Sequence, residues 1–163
     1  MGIISLIIDA IWFILPAYFA NAAPVVFAKI LRHRNLPMDF GIKIKGKFIF
    51  GPGKTWGGFF GGLLTGTIIG IFQGRILEGF LLSVGALCGD LFGSFIKRRL
   101  NLPRGTSIPI LDQLGFVIFA LLFVSFATKI LFEILVIILL MTPLLHLGMN
   151  VLAYLLKLKK EWY

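Results

Sequence analysis

"GPGKTWGGFFGG", Gly51 to Gly62, is the stretch on which the fold turns. Gly-Lys-Thr after a glycine-rich turn has the look of a nucleotide-binding P-loop. That pattern requires a glycine five positions before the glycine of Gly-Lys-[Ser/Thr], and Phe48 stands there. The residues just ahead of Gly51, "KFIF", are too few for the buried strand that feeds such a loop, and an apolar segment studded with glycines follows Thr55. A P-loop NTPase is thereby excluded. Lys54 remains a candidate for meeting a phosphate in another setting.

That setting is a membrane. Of the 163 residues, 58% are hydrophobic and the mean hydropathy is +0.98, whereas soluble domains are about 45–50% apolar. Only 14% of residues are charged, and they cluster. A net charge of +9 in such a chain points to basic cytoplasmic loops, not to nucleic-acid binding. No protein partner is evident. The single cysteine, Cys88, excludes an intramolecular disulfide framework and any cysteine-based metal cluster. It reads as a small buried side chain. The first apolar segment lacks a basic n-region and a clear cleavage site, so it reads as a retained helix.

A transmembrane helix takes about 20 mostly apolar residues. Five segments qualify, roughly 3–28, 56–72, 76–96, 108–127 and 130–156. The second is short, and the fifth is long enough to tilt or break near Pro143. The expectation is an all-α integral membrane fold, one membrane-embedded domain over 1–163. The sixteen basic residues sort by side. Lys29, Arg32, Arg34, Lys43, Lys45, Lys47 and Lys54 lie between spans one and two. Lys97, Arg98, Arg99 and Arg104 lie between spans three and four, and Lys157, Lys159 and Lys160 follow span five. Only Arg75 and Lys129 fall on the opposite side. The positive-inside rule then places the N-terminus outside, and the two basic loops and the C-terminus in the cytoplasm.

Glycines recur every fourth residue at 58, 62, 66, 70 and 74, and again at 85, 89 and 93. Small residues at that spacing let helices approach closely, so a tight seam between spans two and three is expected, with Lys54 held near the end of span three. Packing alone accounts for most of these glycines.

Acidic residues inside a bilayer are costly and mark functional sites by default. Asp90 lies in "LCGDLFGSFIKRR" and Asp112 in "IPILDQLGF". Asp90, Ser94, Lys97 and Arg98 fall at i, i+4, i+7 and i+8 and share a helix face. At 1.5 Å per residue Asp90 lies about 10 Å below Lys97, close to the depth of Asp112. Two carboxylates at one depth among lysines and arginines have two readings. One is a structural set of intramembrane ion pairs. The other is a divalent-metal site for a polyphosphate, since Mg²⁺ takes one or two carboxylates plus phosphate oxygens and water, with the bases holding the remaining phosphate oxygens.

Other polar residues carry less. Asp9, Glu78 and Glu133 sit at outer helix ends and read as interfacial. His33 reads as solvated and His146 as a packed histidine. Asn21 in "PAYFANAAP" is either a substrate-binding polar group or part of a structural kink at Pro24. The loop "MDFGIKIKGKFIFG" is expected to form a small hairpin over the site, its Asp39 orienting a base or capping a turn.

Taken together, "GPGKTWGGFFGG", "GDLFGSFIKRR" and "LDQLGF" resemble the CTP-dependent cytidylyltransferases that make CDP-activated membrane lipids. The bacterial CDP-diacylglycerol synthases carry Ser-Pro-x-Lys-Thr-Trp-x-Gly, then Gly-Asp-Leu…Ser…Lys-Arg, then Leu-Asp-Arg-x-Asp, in this order and spacing. The short chain, "LPAYFANAAP", "PMDFG" and Gln113 in place of Arg resemble the archaeal branch, the CDP-archaeol synthases. The resemblance implies CMP transfer from CTP to an unsaturated ether-lipid phosphate, digeranylgeranylglyceryl phosphate, with release of pyrophosphate, at a multi-pass membrane site facing the cytoplasm. It implies Asp90 and Asp112 as Mg²⁺ ligands, with Lys97 beside them in catalysis. It further implies Lys54, Thr55, Trp56, Ser94 and Arg98 as substrate-binding residues. Arg99 and Arg104 of the same basic run, with Asn21 and Asp39, complete the candidate substrate contacts. In one departure, Gly115 stands where the family usually has the second Asp of Leu-Asp-x-x-Asp. The alternatives are a phosphatidic acid cytidylyltransferase of the bacterial type and a small transporter lined by Asp90 and Asp112.

Overall fold

The structure, a computed structural model, describes residues 2–31, 35–103, 106 and 108–155. Five helices follow one another: α1 (Ile3–Leu31), α2 (Trp56–Phe72), α3 (Ile76–Arg99), α4 (Pro109–Val124) and α5 (Phe132–Leu155). Between α1 and α2, strands β1 (Lys43–Ile44) and β2 (Lys47–Phe48) pair antiparallel. Apart from that hairpin the architecture is helical, as expected, and the hairpin falls inside the loop that was expected to make one.

α1 and α3 are long and apolar enough to cross a membrane. α2 and α4 are shorter, at 17 and 16 residues, or about 24–26 Å at 1.5 Å per residue. The expected boundaries move in three places. α1 runs past both Pro16 and Pro24 to Leu31. α3 continues to Arg99, so its three terminal bases belong to the helix. α4 stops at Val124, where Ser125 caps it onto the Leu121 carbonyl.

α2 shows how the glycine ladder works. Gly58, Gly62, Gly66 and Gly70 are buried, while Phe60, Leu64, Ile68 and Ile71 are exposed. One face thus packs against protein and the other is apolar and open, as a lipid-facing helix requires. A β-carbon at Gly62 would come within 2.6 Å of the Ala20 carbonyl on α1, and one at Gly70 within 2.6 Å of Gly79 Cα on α3. The expected seam between α2 and α3 therefore exists, at Gly70 and Gly79. The glycines at 85 and 89 face α4 instead: β-carbons there would meet Ala120 Cα and Phe116 Cα at 2.7 Å. A β-carbon at Gly74 would meet nothing within 4 Å among the described residues. Gly74 ends α2 at φ +69°, the left-handed turn that suits glycine.

The core lies where α1, α3, α4 and α5 converge, on Ala10, Ile14, Ala17, Leu82, Ala86, Val117, Ala120, Val124 and Ile138. Thr142 donates to the Ile138 carbonyl, so the Tyr18 hydroxyl donates to Thr142 Oγ1 at 2.9 Å and ties α1 to α5. Cys88 is half-buried on α3.

The α3–α4 contact sets the spacing of both site helices, and overpacking it costs about 1–3 kcal/mol. Gly89→Ala should lower the midpoint of thermal unfolding in detergent, followed by loss of the monodisperse chromatographic peak. Gly148→Ala on α5, where a β-carbon meets nothing within 4 Å among the described residues, should leave it unchanged or raise it. Equal midpoints for the two variants would argue against the seam.

Candidate active site

The loop before α2 is built by hydrogen bonds that hydropathy does not reveal. Lys45 and Gly46, both at positive φ, turn β1 into β2 with the two left-handed residues that match strand twist. Asp39, 4% exposed, accepts from the amides of Gly41 at 3.1 Å, Phe50 at 3.0 Å and Gly51 at 2.8 Å. Burial alone would raise its pKa, but the amides of Gly51, Phe50 and Gly41, with its own, hold it below the usual carboxylate value. Its contribution to the loop is therefore complete above about pH 4, the unfolded value. It is lost only as pH falls through the lower folded value.

A second short pairing brings the loop to the helix. The Met38 amide donates to the Lys54 carbonyl at 2.8 Å and the Trp56 amide to the Leu36 carbonyl at 3.0 Å. Thr55 caps α2 by accepting from Gly58 N at 3.3 Å. Asn35 Oδ1 accepts from Gly57 N at 3.0 Å, and Lys54 N donates to the Gly51 carbonyl at 3.2 Å. The amides of Lys54, Trp56, Gly57 and Gly58 are thus all engaged. In a P-loop such amides cradle phosphate. Here these four amides are occupied by the loop and the helix cap.

The α3 terminus latches the hairpin. Arg99 donates to the carbonyls of Ile44 at 3.0 Å, Lys47 at 3.0 Å and Phe48 at 2.5 Å. Lys47 Nζ returns a bond to the Arg99 carbonyl at 2.9 Å. Arg98 donates to the Pro103 carbonyl at 3.3 Å, and its Nε is buried without a partner among the described residues.

This scaffold delivers two ion pairs. Lys54 Nζ donates to both oxygens of Asp90, at 2.8 and 2.6 Å, with side chains 28% and 31% exposed. Lys97 Nζ donates to Asp112 Oδ2 at 2.6 Å and is ion-paired with its other oxygen. Asp112 Oδ2 also accepts from the Ile108 amide at 2.9 Å and so caps its own helix. The helix register sets the relative depth of the carboxylates. Residue 89 faces Gly115 and Phe116, and residue 93 faces Leu111, so Asp90 and Asp112 lie within about one helical turn of each other along the seam.

The face that Asp90, Ser94, Lys97 and Arg98 were expected to share does not act as one unit. Asp90 reaches the loop and Lys97 reaches α4. Ser94 is half-buried, and so is Asn21 on α1. Trp56 stacks on Phe60 at 5.7 Å, its Nε1 buried without a partner among the described residues. Arg104 lies outside the described residues, as do the bases at 32, 34, 157, 159 and 160. Asn35 and Lys47 were not singled out from the sequence. No local signal marks Asn35 as a cap 22 residues ahead of the amide it binds.

Among the described residues no group of three or more His, Cys, Asp or Glu could hold a metal. Two half-exposed carboxylates with oxygen donors alone suit Mg²⁺, which completes its shell from phosphate and water. At Gly115 a β-carbon would meet nothing nearer than 4.0 Å, so the position has room for a side chain.

A family model for CarS-like CDP-archaeol synthase matches residues 3–79 and 74–163. The chain belongs to the CDP-archaeol synthase family. A CDP-archaeol synthase of Pyrococcus horikoshii is 48% identical, over 94% of this chain and 95% of the relative. That of Methanococcus aeolicus is 43% identical over the full length of both. A solved structure of an intramembrane enzyme for archaeal membrane lipid biosynthesis is 34% identical and superposes with a TM-score of 0.77, over 88% of this chain and 94% of that one. CDP-archaeol synthases are cytidylyltransferases, so the chain is an enzyme and the transporter reading falls.

If Asp39 and Arg99 fix the loop locally, Asp39→Asn and Arg99→Ala should speed tryptic cleavage after Lys43, Lys45 and Lys47, with little change in helix unfolding. Arg99→Lys should restore protection only in part, because an ammonium lacks the guanidinium fork. Wild-type cleavage in both variants would show that neither residue holds the loop.

Proposed function

We propose that the two ion pairs joining the loop, α3 and α4 mark the place where CMP passes from CTP to an archaeal ether-lipid phosphate, releasing pyrophosphate. One observation carries this: Lys54–Asp90 and Lys97–Asp112 assemble two ammonium groups and two carboxylates, partly buried, at one end of apolar helices. We further propose five membrane spans in one domain, with the site facing the cytoplasm. The clustering of bases at the loop ends supports this.

The reaction joins two anions. The lipid phosphate is already ionised near neutral pH, so the nucleophile needs no strong base. Its oxygen attacks the α-phosphorus of CTP, the bond from that phosphorus to the bridging oxygen breaks, and pyrophosphate leaves. The barrier is repulsion and alignment, which positioned cations lower. Asp90 and Asp112 would hold Mg²⁺, which when bound neutralises phosphate charge and polarises the α-phosphoryl group. Lys54 and Lys97, displaced from those carboxylates, would be in reach of phosphate oxygens, and Arg98 Nε is unpartnered among the described residues. Thr55 caps the helix that presents Lys54. Trp56, Ser94, Asn21 and Arg104 are further substrate contacts in this reading. Asp39 and Arg99 serve as positioning residues, because backbone groups of the loop occupy them. The lipid chains stay in the bilayer beside the exposed faces of the helices.

The test supplies purified protein with labelled CTP, Mg²⁺ and either digeranylgeranylglyceryl phosphate or phosphatidic acid. A labelled CDP-lipid from the ether substrate is expected, with little from phosphatidic acid. Asp90→Asn and Asp112→Asn should each abolish turnover while the protein still inserts and folds; near wild-type rates in either would sink the assignment. Lys97→Ala should lose far more activity than Lys129→Ala, which alters an exposed lysine beyond α4.

A further inference from the structure

We propose that the exposed side of the 40–45 segment is a membrane-docking surface, seated in the headgroup zone of an anionic lipid leaflet. Phe40, Ile42 and Ile44 are 65%, 56% and 46% exposed, yet they belong to a loop and not to an apolar helix. A loop surrounded by water rarely presents three large apolar side chains in five residues. Lys43 and Lys45 alternate with them and are exposed as well. Apolar residues interleaved with lysines suit the boundary between acyl chains and anionic headgroups.

Continuity with the membrane-embedded surface argues for the same occupant. The Phe40 ring lies 6.4 Å from that of Trp56, and Trp56 stacks on Phe60 at 5.7 Å. Phe60 begins the exposed apolar face of α2 that continues through Leu64 and Ile68. The aromatic run thus leads from the loop directly onto the lipid-facing side of a helix. The surface is also preorganised, since Asp39 and Arg99 hold the loop in place. Docking therefore costs little ordering. The inference requires only that the chain is embedded in a bilayer. It does not depend on the roles given to Asp90 and Asp112.

The full chain, carrying Cys88→Ala and Ile42→Cys, would be labelled with an environment-sensitive nitrobenzoxadiazole probe. It would be reconstituted in phosphatidylglycerol-containing and in purely phosphatidylcholine vesicles; Ile44→Cys takes its place if the first variant does not express. A blue-shifted emission is expected, quenched by a lipid carrying a shallow doxyl group and shielded from iodide, with the stronger effect in the anionic vesicles. Emission like that of the free probe, quenched by iodide and not by doxyl lipid, would overturn the proposal. Equal quenching in both vesicle types would overturn the assignment of an anionic leaflet.

Discussion

The structure depends on how carboxylates are kept on helices bound for a membrane. An unpaired aspartate at the centre of a spanning helix costs about 2.5–3.5 kcal/mol on insertion scales. Asp90 and Asp112 each meet a lysine that comes from another element, Lys54 from the loop before α2 and Lys97 from α3. The pairs therefore do more than neutralise charge. They fix the loop against α3 and α3 against α4. The glycines at 85 and 89 let α4 come close enough for Lys97 to reach. The Asp39 and Arg99 networks keep Lys54 at the mouth of the helices.

The same pairs explain why the P-loop likeness misleads. In a nucleotide-binding loop the backbone amides are left open for phosphate. Here a threonine cap, an asparagine from the loop and a short strand-like pairing engage the amides of Gly58, Gly57 and Trp56. The ammonium groups of Lys54 and Lys97 are in turn held on carboxylates. In the proposed reaction Asp90 and Asp112 would hold the cation that accompanies the nucleotide, leaving Lys54 and Lys97 free for phosphate oxygens.

Much of this was legible in the sequence. Helix number and rough extent followed from hydropathy, because burial in lipid writes long apolar runs. The three motifs pointed to a family that the comparisons then showed. Asp90 and Asp112 stood out as carboxylates where carboxylates are expensive. The partners were harder to see. Nothing local links Lys54 with Asp90, 36 residues away, or Arg99 with the carbonyls of a hairpin some 50 residues earlier. Such pairs depend on tertiary register. Glycine spacing showed that helices pack closely but not which neighbour each ladder faces, so Gly85 and Gly89 were expected against α2 and lie against α4. Asn35 was invisible for the same reason: its function depends on where the chain returns.

The most direct test of the central claim is a titration of the purified protein with Mn²⁺ as a spectroscopic stand-in for Mg²⁺, followed by electron paramagnetic resonance with and without CTP. The account predicts strong ion uptake only with the nucleotide present, lost in both Asp90→Asn and Asp112→Asn. In Lys54→Gln, where Asp90 has no competing ammonium, uptake without nucleotide should rise. Unchanged uptake in both aspartate variants would contradict the account and leave the two pairs as structure alone.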